Sequence, residues 1–302
     1  MKQGQLAGHL AVAGAYTIFG LNIVFNKDIA NAGVVSPMMV FFLRAAGATA
    51  LFWILSLFKP REPVARKDFL PIALASLTGL FLTQVSFLLA IPMSTSIDTS
   101  IVATLSPVFT MFFAFLFLGE PITWKKVLGV GVSLFGILLL IFNSTHSGGA
   151  VSKTAPLGFV LLFLNSISFA TYLGAFRNVI SRYSVVTFMK WSFLFSLILC
   201  IPFAFKDIVS TDYAAIPAKV VWEILYVVVM ATFVAYFLIP YGQKRIRPTL
   251  VSMYTYLQPI IAVVISIASG LDVISWQKAL AILLVFSGVY LVIRSRAAAG
   301  RP

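Results

Sequence analysis

The fold is decided by residues 97–141, IDTSIVATLSPVFTMFFAFLFLGEPITWKKVLGVGVSLFGILLLI, a stretch that recurs loosely at residues 249–293. A shift of 152 positions aligns the copies without a gap and matches Ser100 with Ser252, Pro107 with Pro259, Trp124 with Trp276, Lys126 with Lys278, Gly136 with Gly288 and Glu120 with Asp272. Each copy is typical of an apolar helix with a proline at its middle, a short turn carrying one carboxylate, and a second apolar helix. The repeat predicts one helical hairpin used twice.

The composition places these hairpins in a membrane. Of the 302 residues, 60% are hydrophobic and 10% are charged, with a mean hydropathy of +1.01, whereas soluble domains carry about 25% charged residues. Apolar runs of about 20 residues recur along the chain, which is the length that an α-helix needs to cross a bilayer. They lack the alternation of β-barrel strands. We therefore predict an all-α integral membrane protein.

Charged clusters and turn residues divide the chain into ten predicted transmembrane helices. These lie near residues 8–26, 36–58, 69–90, 97–118, 125–143, 156–176, 184–205, 219–240, 249–270 and 275–293. The linkers have at most about a dozen residues, as in compact bundles, so no soluble domain is inserted. The first apolar run follows Lys2 and no small-residue cleavage site comes after it, which favours a retained helix over a signal peptide.

The Lys and Arg residues between the predicted helices give the orientation. Of 22 such residues, 15 lie on the side of the N-terminus, five lie on the opposite side, and Arg44 and Lys190 lie within helices. Because positively charged loops stay in the cytoplasm, both termini are predicted to be cytoplasmic. The hairpins are the fourth and fifth and the ninth and tenth helices, five helices apart. Residues 1–146 and 147–302 are therefore predicted to be two five-helix repeats of inverted topology.

In these features the chain resembles the EamA branch of the drug/metabolite transporter superfamily. The resemblance rests on the paired hairpins LSPVFTMFFAFLFLGEPITWKKVLGVGVSLFGILLL and LQPIIAVVISIASGLDVISWQKALAILLVFSGVYLVI, on YTIFGLNIVFNK at residues 16–27 and on FFLRAAGAT at residues 41–49, and it covers essentially the whole chain. It implies ten helices, cytoplasmic termini, a central cavity open to one side at a time, and export of small metabolites, amino acids or drugs. Asp272 stands where the family usually has Glu, and Phe19 stands where Trp is common; both leave the substrate open.

Arg44 and Lys190 are the sharpest functional candidates, because a cation near the centre of a bilayer costs about 2.5–3.5 kcal/mol. The inverted repeat predicts them on opposite sides of the central cavity, with Arg44 nearer the outer end and Lys190 nearer the inner end. There they would face an anionic or carboxylate-bearing substrate. The alternative is that each side chain snorkels outward or bonds carbonyl groups at a neighbouring helix end.

Further polar groups share faces of predicted helices and are expected to line the cavity. They are Asn22 and Asn26 on the first helix, Gln84 on the third, Asn165, Ser168 and Tyr172 on the sixth, and Thr232, Tyr236 and Gln243 on the eighth. We predict that Asn22, Gln84, Asn165, Tyr172 and Tyr236 bind substrate. The alternative for each is a hydrogen bond between helices, worth about 0.6 kcal/mol.

The repeated prolines add a second group of candidates. A proline inside a helix frees carbonyl groups near the membrane midplane, so Pro107 and Pro259 are predicted hinges. Their neighbours Ser106 and Gln258, together with Tyr254 one turn before Gln258, are predicted to contact substrate. The alternative is a kink that serves packing alone.

Several motifs indicate structure rather than chemistry. GVGVSLFG at residues 129–136 lacks the spacing of a dinucleotide loop and predicts a packing stripe of small residues. Glu120 and Asp272 precede predicted N-caps and are expected to close turns, and Asp98 and Glu223 are expected to be solvated near helix starts. Thr123 and Ser275 are the predicted N-caps, and Trp124 and Trp276 are predicted to lie at the membrane interfaces. Cys200 is the only cysteine, and His9 and His146 have no ligand partners nearby in the sequence. No metal, cofactor or nucleotide site is predicted.

The sequence predicts a secondary transporter of the bacterial inner-membrane type, exporting small organic metabolites, amino acids or related carboxylate compounds, as its two halves rock around a midplane site. The expected partners are a small-molecule substrate and the lipid bilayer, without nucleic acid, and the chain is expected to be monomeric. The alternatives are a passive or exchange carrier for sugars, nucleosides or drugs, a channel, a structural subunit, and an intramembrane lipid-modifying enzyme. The enzyme would need clustered His, Asp or Cys near an interface.

Overall fold

The structure is a computed structural model that describes residues 3–94, 99, 102–143, 154–268 and 276–295. In the first half the helices are α1 (Gln3–Ala32), α2 (Pro37–Leu57), α3 (Phe69–Ser76), α4 (Thr83–Ala90), α5 (Ser106–Leu118) and α6 (Trp124–Asn143). In the second half they are α7 (Pro156–Ala175), α8 (Arg177–Arg182), α9 (Val185–Ser210), α10 (Ala218–Val228), α11 (Ala235–Gln243), α12 (Pro248–Met253), α13 (Leu257–Ala268) and α14 (Trp276–Ile293). These described parts contain no β-strand, so the all-helical prediction is confirmed.

Within the described residues, six helices are long and apolar enough to cross a membrane. They are Gly4–Ala32, Pro37–Leu57, Arg66–Met93, Pro156–Ala175, Val185–Ser210 and Ala218–Gln243. Large apolar side chains such as Leu57, Phe117 and Phe203 lie more than half exposed on the outside of the bundle. A surface of this kind is stable against lipid and costly against water. The chain is therefore a helical membrane protein, as its composition predicts.

Two of these helices contain a turn of π-helix, at Leu77–Leu82 between α3 and α4 and at Val229–Val234 between α10 and α11. The two turns are 152 positions apart, which is the shift that aligns the repeated hairpins. Single π-turns inside α-helices occur frequently at functional sites. The repeat therefore extends to a backbone irregularity in the third predicted helix of each half, which the sequence comparison did not reveal.

Helices α6 and α14, the second arms of the two hairpins, pack closely against each other. A Cβ atom on Gly129 would lie 2.6 Å from the carbonyl oxygen of Gly288, and one on Gly136 would lie 2.8 Å from that of Ala281. Between these contacts, Ser133 Oγ donates a hydrogen bond to the carbonyl oxygen of Val285 at 3.0 Å. The predicted stripe of small residues is thus confirmed as a packing surface.

The order of these contacts gives the relative direction of the two helices. As residue numbers rise along α6, the contacted numbers fall along α14, so the helices are antiparallel. The contact of Gly129 with Gly288 becomes the contact of Ala281 with Gly136 when each residue is shifted by 152 positions. Helices α2 and α9 are antiparallel too, because Ser36 before α2 contacts Asp207 near the end of α9, while Trp53 near the end of α2 contacts Trp191 near the start of α9. In these two pairs, equivalent helices of the two halves therefore run in opposite directions.

We expect Gly129→Ala to destabilise the protein, because its new methyl group would push α6 away from the backbone of α14. Overpacking of this kind costs about 1–3 kcal/mol, and we expect the melting temperature in detergent to fall by about 5 °C. Gly131→Ala is the matched control, since it lies on the same helix with nothing within 4 Å of its Cβ position. Equal melting temperatures for the two variants would contradict the described contact.

The prediction of a proline in the middle of each hairpin helix is wrong. Helix α5 begins at Ser106, so Pro107 lies in its first turn, and Pro259 lies in the first turn of α13, which follows a 3-10 turn at Tyr254–Tyr256. A proline in a first turn removes no helical hydrogen bond, because that amide has no partner within the helix. The helices are interrupted just before the prolines instead of being kinked at them.

Candidate functional site

A cavity lies between the two halves, where the interrupted helices meet α1, α2, α4, α7 and α11. Its volume is about 120 Å³. Eight of the residues singled out in the sequence line it: Asn22, Arg44, Gln84, Ser106, Asn165, Tyr236, Gln258 and Pro259. They come from both halves and are separated by up to 237 positions in the chain. The structure thus brings most of the candidate residues together at one place.

Arg44 supplies the positive charge of this cavity. Its side chain is 3% exposed, and its Nε donates a hydrogen bond to Thr232 Oγ1 at 2.9 Å. Thr232 belongs to the second π-turn and donates in turn to the carbonyl oxygen of Val227 at 2.7 Å. No carboxylate of the described residues lies within ion-pair distance of the guanidinium group. The cavity therefore holds a buried cation whose charge those residues leave unbalanced.

The ends of the interrupted helices form another part of the wall. Ser106 at the start of α5, and Thr255 and Gln258 around the start of α13, all line the cavity. Ser106 Oγ is buried and has no hydrogen-bond partner within the described part of the chain. Non-helical backbone is tolerated at membrane depth only where it is buried in protein or borders a cavity. The interruptions thus lie beside the cavity, where their polar groups are shielded from lipid.

Residues next to the π-turns form a further part of the lining. Asn165 Nδ2 donates to the carbonyl oxygen of Thr83 at 2.7 Å, at the end of the first π-turn. Thr83 Oγ1 donates to the carbonyl oxygen of Thr78, five residues earlier, at 2.6 Å. Gln84 follows directly and lines the cavity at 3% exposure. The side chain of Asn165 thus fixes the backbone that presents Gln84.

Aromatic rings make up much of the remaining lining. Phe19 packs edge-on against Tyr16 at 5.7 Å and against Tyr236 at 5.6 Å between ring centroids, and Phe87 and Phe169 also line the cavity. Such edge-to-face pairs are favourable arrangements for aromatic rings. The cavity therefore combines one cation and several amide and hydroxyl groups with an apolar wall, as small-molecule sites commonly do.

Four candidates lie outside this lining. Tyr172 is 1% exposed and packs against the first π-turn, where any side chain on Gly79 would overlap its ring. Lys190 places its Nζ 5.1 Å from the ring centroid of Trp53. Tyr254 shares a hydrogen bond of 2.8 Å with His9 Nδ1, and the buried Pro107 follows the lining residue Ser106.

The turn at Glu120 holds more than the turn closure that the sequence indicates. Gly119 ends α5 with φ of 64°, and the backbone amide of Glu120 donates to the carbonyl oxygen of Ala114 at 3.1 Å. The carboxylate, however, is buried and lies 3.0 Å from Lys126 Nζ, which is also buried. Thr249 Oγ1 donates to the same carboxylate at 2.8 Å. We call Glu120, Lys126 and Thr249 the Glu120 cluster; it joins the two halves.

Other polar contacts join the halves near this end of the bundle. Asp68 pairs with Arg182 and accepts a hydrogen bond from Tyr183 at 2.5 Å, while Glu62 accepts two bonds from the amide of Ser184 at 3.0 Å. Partial burial would raise the pKa of Glu62, but hydrogen bonds from Thr187 and Ser184 outweigh it and hold the pKa below its ordinary value. These contacts tie the first half to the second.

The remaining polar candidates have structural surroundings. Glu223, expected to be solvated, is 5% exposed and lies 3.4 Å from Lys219 Nζ, so that expectation is wrong. Gln243 donates to the carbonyl oxygen of Leu173 at 2.8 Å. Trp124 and Trp276 are 73% and 71% exposed. Six residues named in the sequence interpretation, Lys2, Asp98, Ser100, His146, Asp272 and Ser275, lie outside the described residues.

The chain is similar to proteins described as transporters in bacteria and archaea. A Bacillus subtilis (strain 168) protein described as "Uncharacterized transporter YetK" is 22% identical over 264 residues, covering 87% of this chain and 79% of that one. An Archaeoglobus fulgidus "Uncharacterized transporter" is 25% identical over 288 residues, covering 94% and 96%. A Saccharomyces cerevisiae protein described as "Thiamine-repressible mitochondrial transport protein THI74" is 28% identical over 141 residues, covering 45% and 38%.

A solved crystal structure shares the fold, with a TM-score of 0.74 over 97% of this chain and 96% of the other at 17% identity. The EamA-like transporter family matches the chain twice, at residues 6–142 and 156–294. Together these two matches cover nearly all of the sequence, and they fall one on each half. The chain therefore belongs to the EamA-like transporter family, and it is a membrane transporter.

Proposed function

We propose that this transporter is a secondary active exporter of small organic metabolites that carry a carboxylate, amino acids among them. It crosses the bacterial inner membrane ten times, with both termini in the cytoplasm, as two inverted repeats at residues 1–146 and 147–302. The antiparallel packing of α6 on α14 and of α2 on α9 supports the inversion, and the distribution of Lys and Arg supports the orientation. The proposed transporter works as a monomer without a cofactor.

The observation that carries the substrate class is the unbalanced charge of Arg44. Burying a cation without a counter-charge is costly, and the cost is offset when a substrate brings an anion into the cavity. A guanidinium group binds a carboxylate through paired hydrogen bonds that are stronger than those between neutral groups. Asn22, Gln84 and Ser106 supply neutral polar groups to the lining of the same cavity. A small carboxylate fits this arrangement.

The proposed mechanism is alternating access around this cavity. In the structure the end near the Glu120 cluster is held by contacts between the halves, namely Glu120 with Lys126 and Thr249 and Asp68 with Arg182. Transport requires these contacts to break while the halves rock. The two π-turns, at Leu77–Leu82 and Val229–Val234, are the points at which the third helix of each half can change its geometry beside the cavity.

We expect the purified protein in proteoliposomes to take up carboxylates in a panel of amino acids, short organic acids, sugars and nucleosides. Uptake should saturate with concentration and should accelerate when a pH gradient is imposed. Empty liposomes provide the background, and formate and lactate should compete for the carboxylate uptake whereas glucose should not. Saturable uptake of sugars or nucleosides with no carboxylate uptake would contradict the proposal.

The aromatic wall supports a second candidate, a passive or exchange carrier for nucleosides or drugs. Tyr16, Phe19, Phe169 and Tyr236 offer ring faces and edges to a planar substrate. The same panel separates the two functions. A carrier of this kind would exchange labelled nucleoside against unlabelled nucleoside without responding to a pH gradient, and it would be insensitive to the charge of Arg44.

A further inference from the structure

A second cavity lies at the end of the bundle opposite the Glu120 cluster. Here α1 ends at Ala32, α2 begins at Pro37, a 3-10 turn after α4 ends at Met93, and α9 ends at Ser210. The volume of this cavity is about 390 Å³. We call it the α1–α9 cleft. It differs from the central cavity in that its charged lining residues are carboxylates.

Two aspartates give the cleft its charge. Asp207 and Asp212 both line it. Ser36 Oγ donates a hydrogen bond to Asp207 Oδ2 at 2.5 Å. The same oxygen is the N-cap of α2 and accepts a hydrogen bond from the amide of Met39 at 3.0 Å. Asp212 accepts the amide of Ala214 at 3.1 Å. Among the described residues, neither carboxylate has a Lys or Arg nitrogen within ion-pair distance.

Asn26 adds an independent sign of a ligand. Its side chain lines the cleft at 3% exposure, and its Nδ2 donates to both the carbonyl oxygen of Asn22, at 2.7 Å, and Asn22 Oδ1, at 2.8 Å. Because both partners are oxygens, the amide nitrogen must face them, which leaves Oδ1 as the free acceptor. That oxygen has no hydrogen-bond partner within the described parts of the chain. A buried acceptor in this position is stabilised by a donor from a ligand.

The backbone also contributes negative charge to the cleft. The last turns of α1 and α9 and the 3-10 turn after α4 border the cleft through Ile29, Ile91 and Ser210. Helix C-termini carry partial negative charge, and they outnumber the single N-terminus of α2 at this site. Side chains and backbone thus present hydrogen-bond acceptors and negative charge. A ligand for this cleft is a cation with several donors.

An organic ammonium ion fits better than a metal ion. The cleft has two carboxylates, and the described residues contain no group of three or more His, Cys, Asp or Glu that could hold a metal. Calcium takes six to eight oxygen ligands. Val40, Leu88 and Ile91 give the cleft an apolar side, which suits an alkyl group. A primary ammonium with a short carbon chain satisfies both kinds of surface.

We propose that the α1–α9 cleft is a second binding site, which takes the ammonium group of a small organic amine. Asp207 and Asp212 supply the charge, and Asn26 Oδ1 accepts a hydrogen bond from the amine. Asn22 lines the central cavity and is hydrogen-bonded to Asn26, so the two sites adjoin through one turn of α1. The inference deepens the proposed function and rests on it in one respect, namely that a substrate passing from Arg44 to this cleft carries both a carboxylate and an amine.

Two probes of equal length test the two sites separately. We expect n-butylammonium and butyrate both to bind the full-length protein in nanodiscs, as measured by isothermal titration calorimetry. Asp207→Asn should weaken n-butylammonium binding at least fivefold and leave butyrate binding unchanged, and Arg44→Gln should do the reverse. Asp28→Asn is the matched control, because Asp28 lies at the same end, pairs with Lys219 and does not line the cleft. It should change neither affinity.

The outcomes separate the cleft from the central cavity. Unchanged n-butylammonium affinity in Asp207→Asn would overturn the cleft proposal, and so would displacement of n-butylammonium by an equal concentration of sodium. Failure of butyrate to bind, with n-butylammonium binding intact, would overturn the proposed function alone. If Asp207→Asn does not elute as a single species, Asp212→Asn replaces it, since Asp212 lies on an exposed turn, and the same fivefold loss is expected.

Discussion

We expect Arg44→Gln to lower carboxylate transport about 10- to 100-fold while leaving the protein folded in the membrane. The guanidinium group is the only charge among the described residues that line the central cavity, and a hydrogen bond to a charged group contributes about 1.5–3 kcal/mol. Each 1.4 kcal/mol corresponds to a factor of ten. Gln removes the charge and shortens the side chain, so Thr232 loses its donor as well. Initial rates in proteoliposomes over a range of substrate concentrations measure the loss.

Two further variants sharpen this expectation. Arg44→Lys keeps the charge but not the planar pair of donors, and it should retain partial activity with a raised KM. Lys190→Gln removes the other cation within a predicted span, whose nitrogen lies over the ring of Trp53. We expect a smaller loss from it than from Arg44→Gln. Transport that is equal in wild type and Arg44→Gln would remove the carboxylate from the proposed substrate.

Glu120→Gln is expected to destabilise the protein strongly. The substitution leaves Lys126 buried without its counter-charge, and breaking one partner of a buried ion pair costs about 3–5 kcal/mol. The bond from Thr249 can persist to the amide oxygen, so the loss reports mainly on charge. We expect a fall of at least about 8 °C in the melting temperature in detergent, together with an increased rate of cysteine labelling at residues introduced beside Thr249.

The double variant Glu120→Gln with Lys126→Met tests the pairing itself. Removing both charges leaves no unpaired ion, so it should recover much of the lost stability, and the coupling energy should be well above that of an exposed pair. The exposed pair Asp28–Lys219 serves as the comparison, because Asp28→Asn should change stability by about 0.5 kcal/mol or less. Equal effects of Asp28→Asn and Glu120→Gln would show that burial of the Glu120 cluster has no energetic consequence.

The parts of this fold that follow from the sequence are those with a local signal. Gly129, Ser133 and Gly136 recur at helical spacing, so their packing stripe could be predicted before its partner was known. The apolar runs gave helix positions that agree with the structure within a few residues over most of the described chain. The sequence correctly indicates that the helices are irregular at Pro107 and Pro259, but it predicts kinks within helices where the structure has interruptions before the prolines. A proline in a sequence does not show where its helix begins.

The site depends on contacts that no local pattern carries. In the sequence Glu120 is surrounded by turn residues, and nothing near it points to its partner Thr249, which lies 129 positions away. Arg44 and Lys190 are indistinguishable in a hydropathy profile. Their tertiary contacts distinguish them, because Arg44 lines the cavity beside Thr232 whereas Lys190 lies over the ring of Trp53. The π-turns at Leu77–Leu82 and Val229–Val234 occur in LTGLFL and VMATFV, in which only Phe81 and Phe233 are identical at equivalent positions. Their agreement emerges when the backbones are compared.

Each π-turn also sets the rotational phase of the helix that follows it. A π-turn accommodates one residue more than the α-helical ladder, and one residue of α-helix corresponds to about 100° of rotation. If either turn relaxed to regular α-helix, every side chain beyond it would turn by that angle about the axis. Gln84 would then leave the cavity if the first turn relaxed, and Tyr236 would leave it if the second did. The extra residue in each half therefore determines which face of the following helix meets the substrate.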